Sequence, residues 1–159
     1  MDSRDWHALP GPTWYRPAEA AAAAGDLDQP ASPDDAASAV RRLAAAVVND
    51  HAGTLYPAAV PAARVLLAVV RDLPGKPRGA VLNTLLDWWG CFVPEPGYDR
   101  YRGHDGEPVD LIEAIERQIR GAAGTLRTLA CSDGDAGKMA EDLLAHLEAG
   151  SWSDLVADD

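Results

Sequence analysis

Six side chains of this sequence are of the kinds that hold transition metals or serve as acid, base or nucleophile near neutral pH. They are four histidines and two cysteines: His7, His51, Cys91, His104, Cys131 and His146. Zinc-binding sequences bring their ligands in close pairs, roughly two to five residues apart, and no two of these six lie that close. The glycines around His104 follow no strand-like segment, as a phosphate-binding loop would. The sequence therefore predicts neither a bound metal nor a cofactor.

A small hydrolase is the alternative that these residues leave open. Asp50 and His51 end one predicted helix, while Cys91 and His104 lie in one irregular segment, so a fold that gathers all four would place a thiol beside an imidazole. No nucleophile signature surrounds Cys91, however. The simpler interpretation is that Cys91 fills apolar space and that the His51 ring hydrogen-bonds the last carbonyl groups of its helix. We therefore expect the protein not to be an enzyme.

The stretch most typical of a protein interface lies in the irregular segment 91–107, which is rich in proline and glycine. Tyrosine and arginine combine a large contact area with polar ends and are frequent among the residues that dominate binding energy. Long irregular segments in compact domains are usually functional or disordered. We predict that a partner contacts six residues here: Tyr98, Arg100, Tyr101, Arg102, His104 and Asp105. The alternative is that the tyrosines pack on the protein's own helices.

The chain is strongly acidic. It has 25 Asp and Glu against 14 Lys and Arg, which gives a formal net charge of −11 at pH 7. Binding to a phosphate backbone needs cationic side chains that replace condensed counterions, so nucleic acid is not an expected partner. An acidic surface favours encounter with a basic protein. The alternative role of the charge is solubility alone.

The compartment is inferred from the cysteines and the N-terminus. The two cysteines have no paired spacing, and the residues after Met1 lead into no apolar segment of a signal peptide. The longest apolar run, 55–70, is interrupted by two prolines and Arg64 and is shorter than the roughly 20 residues that span a membrane. We expect a cytoplasmic protein that does not bind membranes.

Helical spacing of apolar residues dominates the rest of the chain. An irregular arm, residues 1–15, precedes it, and we expect the aromatic rings of this arm to pack on the core. A short alanine helix is predicted over 17–24, ended by Gly25. Longer helices are predicted from the Ser32 cap to Asp50, and from the Thr54 cap to Leu73 with a bend at Pro61. A separate helix then follows and ends at Gly90. Two more are predicted over 108–131 and from Ala136 to Ala149. Gly121 and Gly124 leave the continuity of the helix over 108–131 open.

Two helical hairpins of the chain repeat one pattern at an offset of 58 residues. At this offset Gly79 falls on Gly137, Leu85 and Leu86 fall on Leu143 and Leu144, and Trp89 falls on Leu147. Such self-similarity is typical of stacked helical hairpins, each of which buries an apolar face against the next. We therefore expect all four leucines to be buried.

The chain resembles HEAT and armadillo helical repeat proteins. The turn 132–135, followed by Met139, Leu143, Leu144 and Leu147, is similar to the turn and second helix of a HEAT unit, and 50–61 is similar to a segment of small HEAT-like bacterial proteins. The resemblance implies an all-α fold, a stack of about six helices with a long loop, 91–107, between hairpins. The resemblance places this fold in one domain, residues 16–159, which follows the arm in the sequence.

The resemblance also bears on function, since such repeat proteins mostly bind other proteins. The six predicted contact residues from Tyr98 to Asp105 are here called the Tyr/Arg segment. Together with the small size, the acidic charge and this segment, the resemblance suggests a non-enzymatic binding module. Within that class we expect an immunity or inhibitor protein that neutralises a basic bacterial toxin or effector. A scaffold subunit of a larger assembly is a further alternative.

Overall fold

The computed structural model describes residues 6–91, 93–103 and 106–150. These residues are mostly helical. The helices are α1 Pro17–Asp28, α2 Pro33–Ala46, α3 Ala59–Asp72, α4 Lys76–Cys91, α5 Leu111–Gly121, α6 Ala123–Ala130 and α7 Asp135–Ala149. Short strands lie between them: β1 Val48–Asn49, β2 Thr54–Leu55, β3 Val93–Pro94, β4 Arg100–Tyr101 and β5 Val109–Asp110.

The helices pack around α4, which contacts α2, α3 and α7. α1 packs on α2, α3 also packs on α5, and α6 packs on α7. Buried residues of all these helices form one core. α3 is apolar on most sides, in keeping with its contacts to α4 and α5 and, less extensively, to α1 and α2. Within the described ranges, no helix is both long and apolar enough to cross a bilayer.

The expectation of an all-α fold is only roughly right, because the chain also forms two small sheets. β2 pairs antiparallel with β1 and parallel with β3, and β4 pairs antiparallel with β5. Each strand has two residues, which is too short to show the alternation by which strands are recognised in sequence. The β1–β2 pair turns at Gly53, which has a positive φ of 62°.

Two helix limits around this hairpin were predicted wrongly. The predicted helix to Asp50 ends at Ala46, and Thr54 lies in β2 rather than at the cap of α3. Pro57 disfavours the helical region for the residue before it, so the helical conformation starts only after Pro57, with Ala58 as the N-cap and α3 beginning at Ala59. Pro61 thus lies in the first turn of α3, where a missing N–H leaves no intrahelical hydrogen bond unmade, and not in the helix interior.

Other limits of the helices follow local chemistry. The Ser32 hydroxyl accepts a hydrogen bond from the Asp35 N–H at 3.1 Å, as predicted for the start of α2. α1 continues through Gly25 to Asp28 and is longer than predicted. The predicted helix over 108–131 begins at Leu111, because the Asp110 carboxylate accepts from the Glu113 N–H at 3.1 Å. It breaks at Ala122, beside Gly121, into α5 and α6.

Burial corrects the alignment of the two hairpins in one respect. Leu85 and Leu143 are fully buried, whereas Leu86 and Leu144 are only partly buried and pack at the edge of the core. Consecutive residues of a helix point about 100° apart, so a single row of neighbours covers one leucine of each pair more than the other. The expectation that all four leucines are buried was therefore wrong for Leu86 and Leu144.

Candidate interaction surface

The N-terminal arm is fixed to the helices by its aromatic residues. Trp6 is fully buried, and its carbonyl accepts a hydrogen bond from the Tyr15 hydroxyl at 2.8 Å. The Tyr15 ring meets the Tyr56 ring edge-on, with centroids 5.3 Å apart. These contacts agree with the expectation that the arm packs on the core. Trp14 is the exception, since 48% of this residue is exposed.

The Tyr/Arg segment of the irregular stretch is tied to this arm. The Tyr98 hydroxyl donates to the Gly11 carbonyl at 2.9 Å, and the ring of Tyr98 is partly buried against the core. The Glu95 N–H donates to the Leu55 carbonyl at 2.7 Å, which continues the pairing of β2 with β3. Residues 6–15 of the arm, the β1–β2 hairpin and the segment 93–103 therefore form one surface, which we call the arm–loop surface.

The remaining residues of the segment lie on and beside β4. Tyr101 is partly buried and packs against the core, and its strand partner is Val109. Arg100 is exposed, and its guanidinium donates to the Pro108 carbonyl at 2.8 Å. Arg102 is exposed as well. His104 and Asp105, the last two predicted contact residues, lie outside the described residues.

The tyrosines pack on the protein itself, as the alternative to an interface expected. Tyr98 and Tyr101 are nevertheless only half-buried, and Arg100 and Arg102 are exposed. Contact of these residues with a partner stays a prediction. The segment is held in place by the fold and still presents the side chains that binding surfaces favour.

A layer of buried polar side chains joins the elements that form the arm–loop surface. The Tyr56 hydroxyl donates to the carbonyl groups of Ala46 at 2.9 Å and Val48 at 3.3 Å, and so satisfies the carbonyl end of α2. Thr54, which is also buried, donates its hydroxyl hydrogen to the Glu95 carboxylate. This layer joins α2, the β1–β2 hairpin and the segment 93–103.

Burial shifts the titration of Tyr56 and of Tyr15, whose ring contacts the Tyr56 ring. It raises the pKa of Tyr15 to about 12, since removal from water penalises the phenolate. Burial also raises the pKa of Tyr56, and the negative charges of Glu95 and Asp50 add to this rise, while Arg16 opposes it. Both hydroxyl groups are therefore neutral donors at physiological pH, in the role that their hydrogen bonds require.

The residues of the hydrolase alternative are brought together only in part. The Val93 N–H donates to the Gly53 carbonyl at 3.0 Å, so the turn that carries Asp50 and His51 lies beside the end of α4, where Cys91 is the last residue. Asp50 and His51 are exposed. The side chain of Cys91 and the whole of His104 lie outside the described part of the chain.

The described histidines do not gather at any one place. His146 stacks on the buried Trp89 ring, with centroids 6.0 Å apart, and Cys131 is exposed at the end of α6. Among the described residues no group of three or more His, Cys, Asp or Glu side chains is arranged to hold a metal.

The residue of this surface that sequence reasoning missed is Trp14. Trp6 and Trp14 lie in the same irregular arm, where no periodicity separates a buried position from an exposed one. The one available signal is that Trp14 follows a Pro-Gly-Pro run, which is typical of a turn whose tip is exposed.

Comparisons of the chain with protein-family models, with curated proteins and with solved structures each found no match.

Proposed function

We propose that this chain is a non-enzymatic protein-binding module, a short HEAT-like stack of helical hairpins whose arm–loop surface holds and inhibits a basic partner protein. The observation that carries the proposal is that the Tyr/Arg segment is hydrogen-bonded to the fold while Arg100 and Arg102 are exposed and Tyr98 and Tyr101 are only half-buried. A surface that is already ordered loses little conformational entropy on binding.

The packing of the helices supports the hairpin-stack part of the proposal. In such a stack, equivalent helices of successive hairpins run parallel and lie next to each other. α4 and α7 are equivalent in the 58-residue repeat, and they are neighbours. A β-carbon on Gly79 would lie 3.9 Å from the end of Met139, and Trp89 stacks on His146. Residues near the starts and near the ends of the two helices thus meet, as in parallel packing.

The charge of the chain supports a basic partner. With a net charge of −11, the protein attracts cationic proteins over distances up to about the Debye length. Several acidic side chains are exposed on α7, namely Asp135, Glu141, Asp142 and Glu148. An inhibitor of a basic toxin or effector needs both features, a fast encounter and a specific contact surface.

Arg102 gives the sharpest test, because its side chain is exposed and its truncation should not disturb folding. A tagged chain is purified from cells of the source organism, bound proteins are identified by mass spectrometry, and each is produced in pure form. We expect Arg102→Ala to weaken the complex by about 2 kcal/mol or more, the size of an interface hot spot, with an unchanged melting temperature.

Arg127→Ala is the matched control, since Arg127 is an exposed arginine on α6 that lies outside the arm–loop surface. It should change the affinity by less than about 0.5 kcal/mol. Equal affinities of the wild type and of the Arg102→Ala and Tyr101→Ala variants would place the binding surface elsewhere on the molecule.

A further inference from the structure

Trp14 differs from the other tryptophans that the structure describes. Trp6, Trp88 and Trp89 are at most 2% exposed, whereas Trp14 is 48% exposed. Tryptophan carries the largest apolar surface of any side chain, and leaving half of it in water is unfavourable. Its exposure thus contributes nothing to the stability of the chain and is suited to a contact with another molecule.

The backbone around Trp14 is fixed. Residues 12–15 form a turn, which we call the Trp14 turn, in which the Tyr15 N–H donates to the Pro12 carbonyl at 2.9 Å. Pro12 is buried on one side of the tip, and on the other side the Tyr15 ring packs on Tyr56. Gly11 lies so close to Tyr15 that a β-carbon there would come within 2.5 Å of the ring. The turn that presents the indole is therefore held in place by packed residues on both sides.

The Trp14 turn lies next to the Tyr/Arg segment. The Tyr98 hydroxyl holds the Gly11 carbonyl at 2.9 Å, and three residues of chain extend at most about 11 Å. Trp14, Arg100 and Arg102 are thus parts of one continuous surface, and a partner that contacts the segment comes within reach of the indole.

We propose that Trp14 is the anchor of this surface and inserts its indole into an apolar pocket of a basic partner protein. The inference rests on the proposed protein-binding function and names the residue through which the partner is held. Tryptophan is among the most frequent hot-spot residues, and rigid presentation removes the entropy cost of ordering it. A basic partner fits the net charge of −11, and the exposed carboxylates of Asp50 and Asp99 on the arm–loop surface can pair with its cationic side chains.

A membrane surface is the alternative to a protein as the partner of Trp14, since tryptophan also prefers the bilayer interface. A chain of this net charge is repelled by anionic lipids, so the structure favours a protein. Vesicles of phosphatidylcholine, with and without phosphatidylglycerol, test the membrane directly by co-sedimentation of the full chain. Binding to either vesicle that is lost in Trp14→Ala would overturn the proposal.

The protein partner is tested by photo-crosslinking in cells of the source organism. Trp14→p-benzoylphenylalanine and Arg102→p-benzoylphenylalanine are compared, each crosslinked protein is identified, and its affinity for the chain is measured with pure components. We expect both positions to capture the same basic protein. Trp14→Ala should weaken its binding by about 30-fold or more, and Trp14→Phe by less, with unchanged melting temperatures.

Arg127→Ala is again the matched control, because Arg127 is exposed on α6 and lies outside the arm–loop surface. It should change the affinity by less than about threefold. Capture from position 102 alone, with Trp14→Ala as tight as wild type, would overturn this inference and leave the proposed function standing. Capture from neither position would overturn both.

Discussion

At the scale of single residues, hydrogen bonds donated by tyrosine hydroxyl groups hold the arm and the irregular segment in place. Tyr15 donates to the arm itself, Tyr98 joins the segment to the arm, and Tyr56 satisfies the carbonyl end of α2. Each hydrogen bond of this kind stabilises the fold by about 1 kcal/mol net, and loss of its donor leaves a carbonyl group unsatisfied. Three such bonds, with the burial of Trp6, help explain how the arm and a segment whose strands have only two residues each are held in place.

The raised pKa values of the buried tyrosines make stability depend on pH in the alkaline range. The folded pKa of Tyr15 is about 12, against an ordinary value of 10.0. Since the folded state keeps this proton to higher pH than the unfolded state does, its contribution is complete below pH 10 and is lost as the pH rises through about 12. We expect the free energy of unfolding, measured by urea titration, to fall over this range.

Tyr15→Phe isolates this effect, because it keeps the ring and removes the hydroxyl group. The variant should be less stable at neutral pH, since the hydrogen bond to Trp6 is lost, and its stability should fall less steeply above pH 10. A slope remains because burial also raises the pKa of Tyr56. The same slope in the wild type and in Tyr15→Phe would show that Tyr15 keeps an ordinary pKa.

At the scale of elements, the burial of two neighbouring leucines in α7 predicts how much each contributes to the free energy of unfolding. Leu143 is fully buried and Leu144 lies at the edge of the core. We expect Leu143→Ala to lower the free energy of unfolding by about 2–5 kcal/mol, because it removes buried methyl groups and leaves a cavity. Leu144→Ala should lower it by about 1 kcal/mol, since part of that side chain is already in water.

The two variants serve as controls for each other, because both shorten a leucine in the same turn of one helix. Chemical denaturation of each gives the difference directly. Equal losses, or a larger loss for Leu144→Ala, would mean that α7 is rotated relative to the core and that the parallel packing of α4 and α7 is wrong.

Helices could be predicted from this sequence where their apolar stripes are long and their caps are local. Ser32 and the stripe of α2 define one such start, and the Ser-Asp-Gly-Asp turn before α7 defines another. The strands could not be predicted, because their pairing joins residues that are distant in sequence, as Thr54 and Val93 are. The limits of α2 and α3 were missed for the same reason, since the β1–β2 hairpin takes residues that propensity alone assigns to helix ends.

The candidate surface could be predicted only in part, for a similar reason. The composition of the Tyr/Arg segment indicated Arg100 and Arg102, which are indeed exposed. The burial of one side of Tyr98 depends on Gly11, a contact between residues 87 positions apart. The exposure of Trp14 depends on which way a turn faces once the arm is packed, and hydrophobicity alone predicts the opposite.

At the scale of the whole molecule, shape and charge have separate roles. The helices form the core on which the arm–loop surface is built. Exposed carboxylates lie both on this surface, as at Asp50 and Asp99, and outside it, as at Asp135 and Asp142 of α7, so much of the net charge of −11 acts through its long-range field and not through direct contacts. The surface then determines how long a complex lasts, and the charge determines how fast it forms.

This separation predicts a distinct dependence on salt. The association rate constant with a basic partner should fall as salt is raised from about 0.01 M to 0.15 M, because the Debye length shrinks from about 30 Å to 8 Å. The dissociation rate constant should change little, since short contacts at the surface are screened less. Surface plasmon resonance across a salt series measures both constants. Asp142→Asn, remote from the arm–loop surface, should lower the association rate at low salt and leave dissociation unchanged. An association rate that does not depend on salt would mean that the acidic charge does not guide encounter and serves solubility alone.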